Sequence, residues 1–157
     1  MNQATNVDSN LDRHRRLRIV CIDDNAMIAS ALVRRLESDP TLTCVQVVQE
    51  GNASFQVVRE ASPDIVLMDV DMPGVDTFAI VERFASELPD VRVIMFSGHV
   101  NPEFIDRALD AGAWGYLSKN EDVVDLIEAI RRAGQGEIVL SKEAQTVQRS
   151  ALPKRGP

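Results

Sequence analysis

The chain has 157 residues, 45% hydrophobic and 26% charged, a length and balance that suit one globular domain with a filled core and exclude a disordered chain. Asp and Glu number 24 against 17 Lys and Arg, a formal net charge of -7, which argues against nucleic acid as the main ligand because phosphate neutralisation needs a basic surface. At 4%, aromatic residues are too few to make a platform on which bases stack.

Residues 1–16 are polar and end in Arg13, His14, Arg15 and Arg16, a flexible leader without the apolar stretch of a signal peptide. No apolar run approaches the ~18 residues a membrane helix needs, so no membrane partner and a cytoplasmic location are expected. Cys21 and Cys44 lie inside apolar runs and read as two reduced core thiols. His14 and His99 are the two histidines, and they form no zinc-type spacing with the cysteines.

From Leu17 the pattern alternates. Leu17–Ile22 predicts a strand buried on both faces, stopped by Asp23–Asp24–Asn25, which can cap a helix over Ala26–Glu37 with Ile28, Leu32 and Leu36 on one side. A second strand is expected over Cys44–Val48 and a second helix over Ala53–Ala61, ended by Ser62–Pro63. Ile65–Met68 predicts a third strand, ended by Asp69, and Asp76–Glu87 a third helix. Val91–Phe96 predicts the fourth strand, Pro102–Ala111 the fourth helix, and Trp114–Leu117 a short fifth strand. The fifth helix is expected over Glu121–Ala133, stopped by Gly134 and Gly136. Strands alternating with helices imply an α/β fold, a parallel sheet covered on both faces, whose ligands bind beyond the carboxyl ends of the strands.

The residues at those ends are therefore decisive. Asp23 and Asp24 follow the first strand, Asp69 the third, Ser97 the fourth and Lys119 the fifth. Three carboxylates brought together repel unless a cation holds them, and hard oxygen donors suit Mg²⁺. A hydroxyl and an ammonium beside them can neutralise phosphoryl oxygens, which points to phosphoryl transfer onto a carboxylate nucleophile, Asp69. Singly, each residue has a plainer account as a cap, a loop serine or a solvated charge. Their joint occurrence at successive strand ends is what points to a site.

Ile22–Asp23–Asp24, Leu67–Met68–Asp69–Val70–Asp71–Met72–Pro73–Gly74, Phe96–Ser97–Gly98 and Ala111–Gly112–Ala113–Trp114–Gly115–Tyr116–Leu117–Ser118–Lys119 together resemble the receiver domain of two-component response regulators over residues 17–134. The resemblance implies a flavodoxin-like doubly wound fold with strand order 2-1-3-4-5. It also implies that Asp69 accepts a phosphoryl group from a histidine kinase or phosphotransfer protein. Asp23, Asp24, Asp69 and the backbone carbonyl of Asp71 would hold Mg²⁺, and Ser97 and Lys119 would contact the phosphoryl group. With Ser97, Tyr116 would switch the face formed by the fourth helix, fifth strand and fifth helix toward a downstream protein effector. Ser97 would move inward with its loop and vacate space for Tyr116. Activity would be confined to accepting and slowly losing the phosphoryl group.

Asn120 stands where many receivers have proline after the lysine, and a cis Lys119–Asn120 bond would cost about 3 kcal/mol. Asn120 and the linker-like Gly134–Ser141 resemble the branch of receivers joined to helix-turn-helix DNA-binding domains. The 16 residues after Ser141 are too few for such a domain, so residues 135–157 are expected to form a tail without an output domain. The preferred expectation is a receiver acting alone or through a partner, without direct nucleic-acid binding, ahead of a truncated DNA-binding regulator. Asp71 and His99 border the route of a water attacking the aspartyl phosphate. Ile127, Ile130, Arg131 and Arg132 can serve either a homodimer or a core-facing stripe with a basic end. Asp69–Val70–Asp71 also matches the nucleophile motif of haloacid-dehalogenase-type phosphohydrolases, but that motif belongs after a first strand. A nucleotide-binding Rossmann site is excluded, because Asp23 and Asp24 stand where a glycine-rich turn would cradle pyrophosphate.

Overall fold

Strand β1 (Leu17–Ile22) pairs in parallel with β2 (Leu42–Val48) on one side and β3 (Ile65–Asp69) on the other, in a computed structural model that describes residues 15–151. Beyond β3 lie β4 (Arg92–Ser97) and β5 (Gly115–Ser118), so the expected order 2-1-3-4-5 is present, and the flavodoxin-like α/β class with it. A sixth strand, β6 (Val139–Leu140), extends it beside β5. The segment expected to be a linker-like tail thus carries a strand, followed by a helix at Lys142–Ala151. Of the leader, residues 1–14 lie outside the described residues.

Continuous apolar runs form the central strands because both sheet faces are covered, and every residue of β3 is buried. On one face, Leu32 and Leu36 of α1 (Ala26–Glu37) and Leu126, Ile127, Ile130 and Ala133 of α5 (Val123–Gly134) pack on Ile19, Cys21, Ile65 and Ile94. On the other, α2 (Ser54–Ala61), α3 (Thr77–Glu87) and α4 (Pro102–Asp110) supply Val58, Val81, Phe84, Ile105 and Ala108, joined by Ala144 of α6 (Lys142–Ala151). Ile127 and Ile130 are accordingly core residues, and Arg131 pairs with Asp39.

Local signals set the ends of the helices. Asn25 accepts hydrogen bonds from the amides of Met27 and Ile28, Asp76 from Ala79, and Asn101 from Phe104 with Pro102 behind it. Gly115 has a different role: a Cβ there would lie 2.5 Å from the Val139 carbonyl oxygen, so glycine is what lets β6 approach β5. All peptide bonds of the described residues are trans, Lys119–Asn120 included. No helix among these residues is long and apolar enough to cross a membrane.

Candidate functional site

Parallel pairing brings the carboxyl ends of β1, β3, β4 and β5 to one edge. Asp69 is the last residue of β3, opposite Phe96, and Ser97 at the end of β4 pairs with Ser118. The Lys119 amide donates to the Ser97 carbonyl at 2.8 Å, which fixes where the lysine leaves the sheet. Asp23, Asp24 and Asp69 each offer a carboxylate oxygen within 4.8 Å of the others. Asp23 and Asp69 are buried, at 2% and 5% exposure, and Asp24 opens to solvent.

Lys119 Nζ lies 2.9 Å from Asp23 Oδ2 and 3.3 Å from Asp69 Oδ1. Backbone amides hold the same carboxylates: Asn25 N–H donates to Asp23 Oδ1 at 2.9 Å and Asp71 N–H to Asp69 Oδ1 at 3.2 Å. Burial pushes the Asp69 carboxyl above its ordinary range, opposed by the Lys119 charge and reinforced by Asp23. Burial disfavours the Lys119 ammonium, yet Asp23 and Asp69 outweigh it and hold its pKa above the ordinary lysine value. Three carboxylates facing one ammonium leave two negative charges. Oxygen donors with that residual charge fit a divalent ion such as Mg²⁺, and Asp24 gives it a solvent-facing approach.

Ser97 and Tyr116 are both buried, and one backbone group joins them. The Ser97 hydroxyl donates to the His99 carbonyl at 3.1 Å and accepts from the His99 amide at 2.9 Å. The Tyr116 hydroxyl donates to that same carbonyl at 2.6 Å, and burial pushes its pKa up. Ser97 is thus turned to its own loop, and Tyr116 is buried with its hydroxyl on the same carbonyl. The Asp71 side chain points away from the carboxylate group to His99 Nδ1, 2.6 Å away, with both side chains largely exposed. Trp114 lies just before β5 with the Arg92 guanidinium over its ring, 4.9 Å from the centroid.

The model of the response regulator receiver domain family matches residues 19–131. The chain belongs to that family. The receiver is 34% identical over 128 residues to the transcriptional activator protein ExaE of Pseudomonas putida, covering 82% of this chain and 60% of that protein. It is 30% identical over 121 residues to the transcriptional regulatory protein LiaR of Bacillus subtilis, covering 77% of this chain and 57% of LiaR. A two-component response regulator of the LuxR family from an Aurantimonas species superposes with a TM-score of 0.82 at 26% identity, over 86% of this chain and 96% of that one. The receiver therefore spans a little over half the length of these two curated relatives. Their names are those of transcriptional regulators, which goes against the expectation of no nucleic-acid binding. A net charge of -7 constrains the surface of this chain and says nothing of the remaining length of such relatives.

The receiver's strand-end residues were all visible in the sequence, because each follows an apolar run. The His99 carbonyl was not, since a backbone acceptor carries no residue-type signature.

Proposed function

We propose that Asp69 accepts a phosphoryl group from a histidine kinase or a phosphotransfer protein and that the receiver thereby switches the surface formed by α4, β5 and α5. The observation that carries this reading is the buried Asp69 carboxylate held between Lys119 and the two further acids. A carboxylate oxygen of Asp69 attacks the phosphorus of the donor phosphohistidine, the phosphorus–nitrogen bond breaks and the imidazole leaves. Asp23, Asp24, Asp69 and the backbone carbonyl of Asp71 would hold Mg²⁺, which, when bound, neutralises charge building on the phosphoryl oxygens. Lys119 stays charged throughout and offers the same oxygens a hydrogen bond.

Phosphorylation adds charge and strong acceptors at Asp69. Ser97 satisfies one of them by giving up its bond to the His99 carbonyl and moving inward with its loop. That carbonyl also holds the Tyr116 hydroxyl, so the loop movement alters the footing of Tyr116 in the cluster it shares with α4 and α6. His99 and Asp71, paired at the mouth, border the approach of the water that ends the phosphorylated state. The names of the relatives and the share of their length covered support a second reading, in which this receiver is part of a DNA-binding transcriptional regulator. A downstream protein effector is the output of the first reading.

Incubation with a small phosphodonor and Mg²⁺ should add one phosphoryl mass that Asp69→Asn abolishes. Absence of an alkali- and hydroxylamine-labile phosphoryl group with such a donor and with a kinase would refute the reading. Turnover of a generic phosphomonoester dependent on Asp71 would replace it with a phosphohydrolase.

A further inference from the structure

The chain's two cysteines meet between β1 and the edge strand β2. Ile19 pairs with Cys44, and the register then slips by one residue, so that Cys21 pairs with Val47. The slip leaves Cys21 and Cys44 diagonal to one another on the sheet face covered by α1 and α5, with their sulfurs 3.7 Å apart. Both thiols are free. Cys21 is fully buried, at 0% exposure, whereas Cys44 is half-buried on the outermost strand.

Their surroundings divide the chemistry between them. Hydrogen bonding with Cys21 holds the Cys44 thiol below its ordinary range, against burial and the nearby Glu37 charge, and the Gln46 carbonyl lies 3.5 Å from its sulfur. Access selects which cysteine an oxidant reaches first, and it favours half-buried Cys44 over fully buried Cys21. Cys21 is sheltered from solvent yet in van der Waals contact with the sulfur that would be oxidised, the placement of a resolving thiol.

We propose that Cys44 and Cys21 form a two-thiol oxidation site for hydroperoxides, in which Cys44 is attacked and Cys21 resolves it to an intramolecular disulfide. The Cys44 sulfur attacks the terminal peroxide oxygen, the O–O bond breaks, and Cys44 becomes a sulfenic acid as the alcohol, or water from hydrogen peroxide, departs. The Cys21 sulfur then attacks the Cys44 sulfur, the S–O bond breaks, and water leaves with the Cys21 proton. Two thiols and one hydroperoxide thus give one disulfide, one alcohol and one water. The sulfurs must close from contact to a bond of about 2.05 Å, which calls on the slipped edge strand β2 to shift along with its side chain. The site is independent of Asp69 and of the phosphoryl reading.

The experiment uses the whole chain, hydrogen peroxide as the probe, and alkylation followed by intact mass, with free cysteine as the control. The wild-type monomer should lose both alkylatable thiols together and regain both with dithiothreitol. Cys21→Ala should leave Cys44 as a sulfenic acid that dimedone captures, and Cys44→Ser should slow oxidation of Cys21 by about tenfold or more. The wild-type result decides on its own if either variant fails to fold. Retention of both thiols at peroxide levels that consume free cysteine would overturn the proposal. So would disulfides formed only between two chains, or equally fast oxidation of Cys21 in a folded Cys44→Ser chain.

Discussion

Lys119→Met removes the ammonium that lies 2.9 Å from Asp23 and 3.3 Å from Asp69 while keeping most of the side chain's length. At an effective dielectric of about 20, each contact is worth about 5 kcal/mol of gross attraction, most of it consumed by withdrawing three charges from water. The lysine is 18% exposed and the two carboxylates 3% and 6%, so solvent screens little of what is lost. Stripping one partner from such a buried group should cost about 3–5 kcal/mol of folding stability. The loss should depend on pH. A carboxyl raised above its ordinary 3.8 keeps a proton in the folded state that the unfolded chain has released, so stability falls as pH rises through that window. Without Lys119 the window extends further upward, and urea unfolding should show a larger deficit near about pH 7.5 than near about pH 5. Millimolar Mg²⁺ should restore part of it, since an ion bound to the folded state stabilises by mass action. An equal loss at both pH values, indifferent to Mg²⁺, would show that Lys119 contributes packing and not charge, and the electrostatic account of the pocket would fail.

Gly115→Val would set a side chain 2.5 Å from the Val139 carbonyl oxygen, so β6 should lift away at about 1–3 kcal/mol, seen as lost hydrogen-exchange protection at Val139 and Ser141. Arg92 Nη1 caps α5 by donating to the Ala133 and Gly134 carbonyls at 3.2 and 2.8 Å. Arg92→Ala should cost about 1 kcal/mol and change the fluorescence of Trp114, the sole tryptophan, whose ring the guanidinium covers. Hydrogen bonds from Thr41, more than the Arg131 charge, hold Asp39 below its ordinary 3.8. Thr41→Ala should therefore raise the Asp39 pKa further than Arg131→Gln does in an NMR titration. A carboxylate lowered in this way adds stability above its ordinary value and loses it as pH falls through the lowered one.

The parts legible in the sequence were those with a strong local cause. Ile65–Met68 is apolar throughout because β3 is covered on both faces, and Asn25, Asp76 and Asn101 announce helix starts through their side-chain oxygens. The gathering of Asp23, Asp24, Asp69 and Lys119 followed from parallel topology alone, since Asp69 closes β3 and the others lie just past a strand. Boundaries shifted where the cause is tertiary. β2 starts at Leu42, two residues earlier than expected, because Leu42 is buried in the cluster that α1 covers, although Thr43, Cys44 and Val45 after it are only half-buried and Gln46 and Val47 are exposed. β6 and α6 were illegible for a related reason. Lys142–Ala151 has Ala144 and Val147 as its inward apolar positions, and β6 depends on backbone bonds to Trp114 and Tyr116 that the missing side chain of Gly115 permits. The paired ring and carboxylate of His99 and Asp71 arise from two loops 28 residues apart, beyond any spacing rule.

Helix α6 lies on α4 and β5, held by the Ser118 hydroxyl on Glu143, by the Ser141 amide on the Tyr116 carbonyl and by an exposed Lys142–Asp125 pair. The surface beside Tyr116 is therefore already covered by a helix of its own chain. Anything that binds the surface beneath α6 must first wait for it to leave, and its apparent affinity is the intrinsic one scaled by the fraction of molecules with α6 undocked. Ala144 and Val147 are the inward apolar positions of α6, so a shift in its docked fraction would change binding strength in proportion.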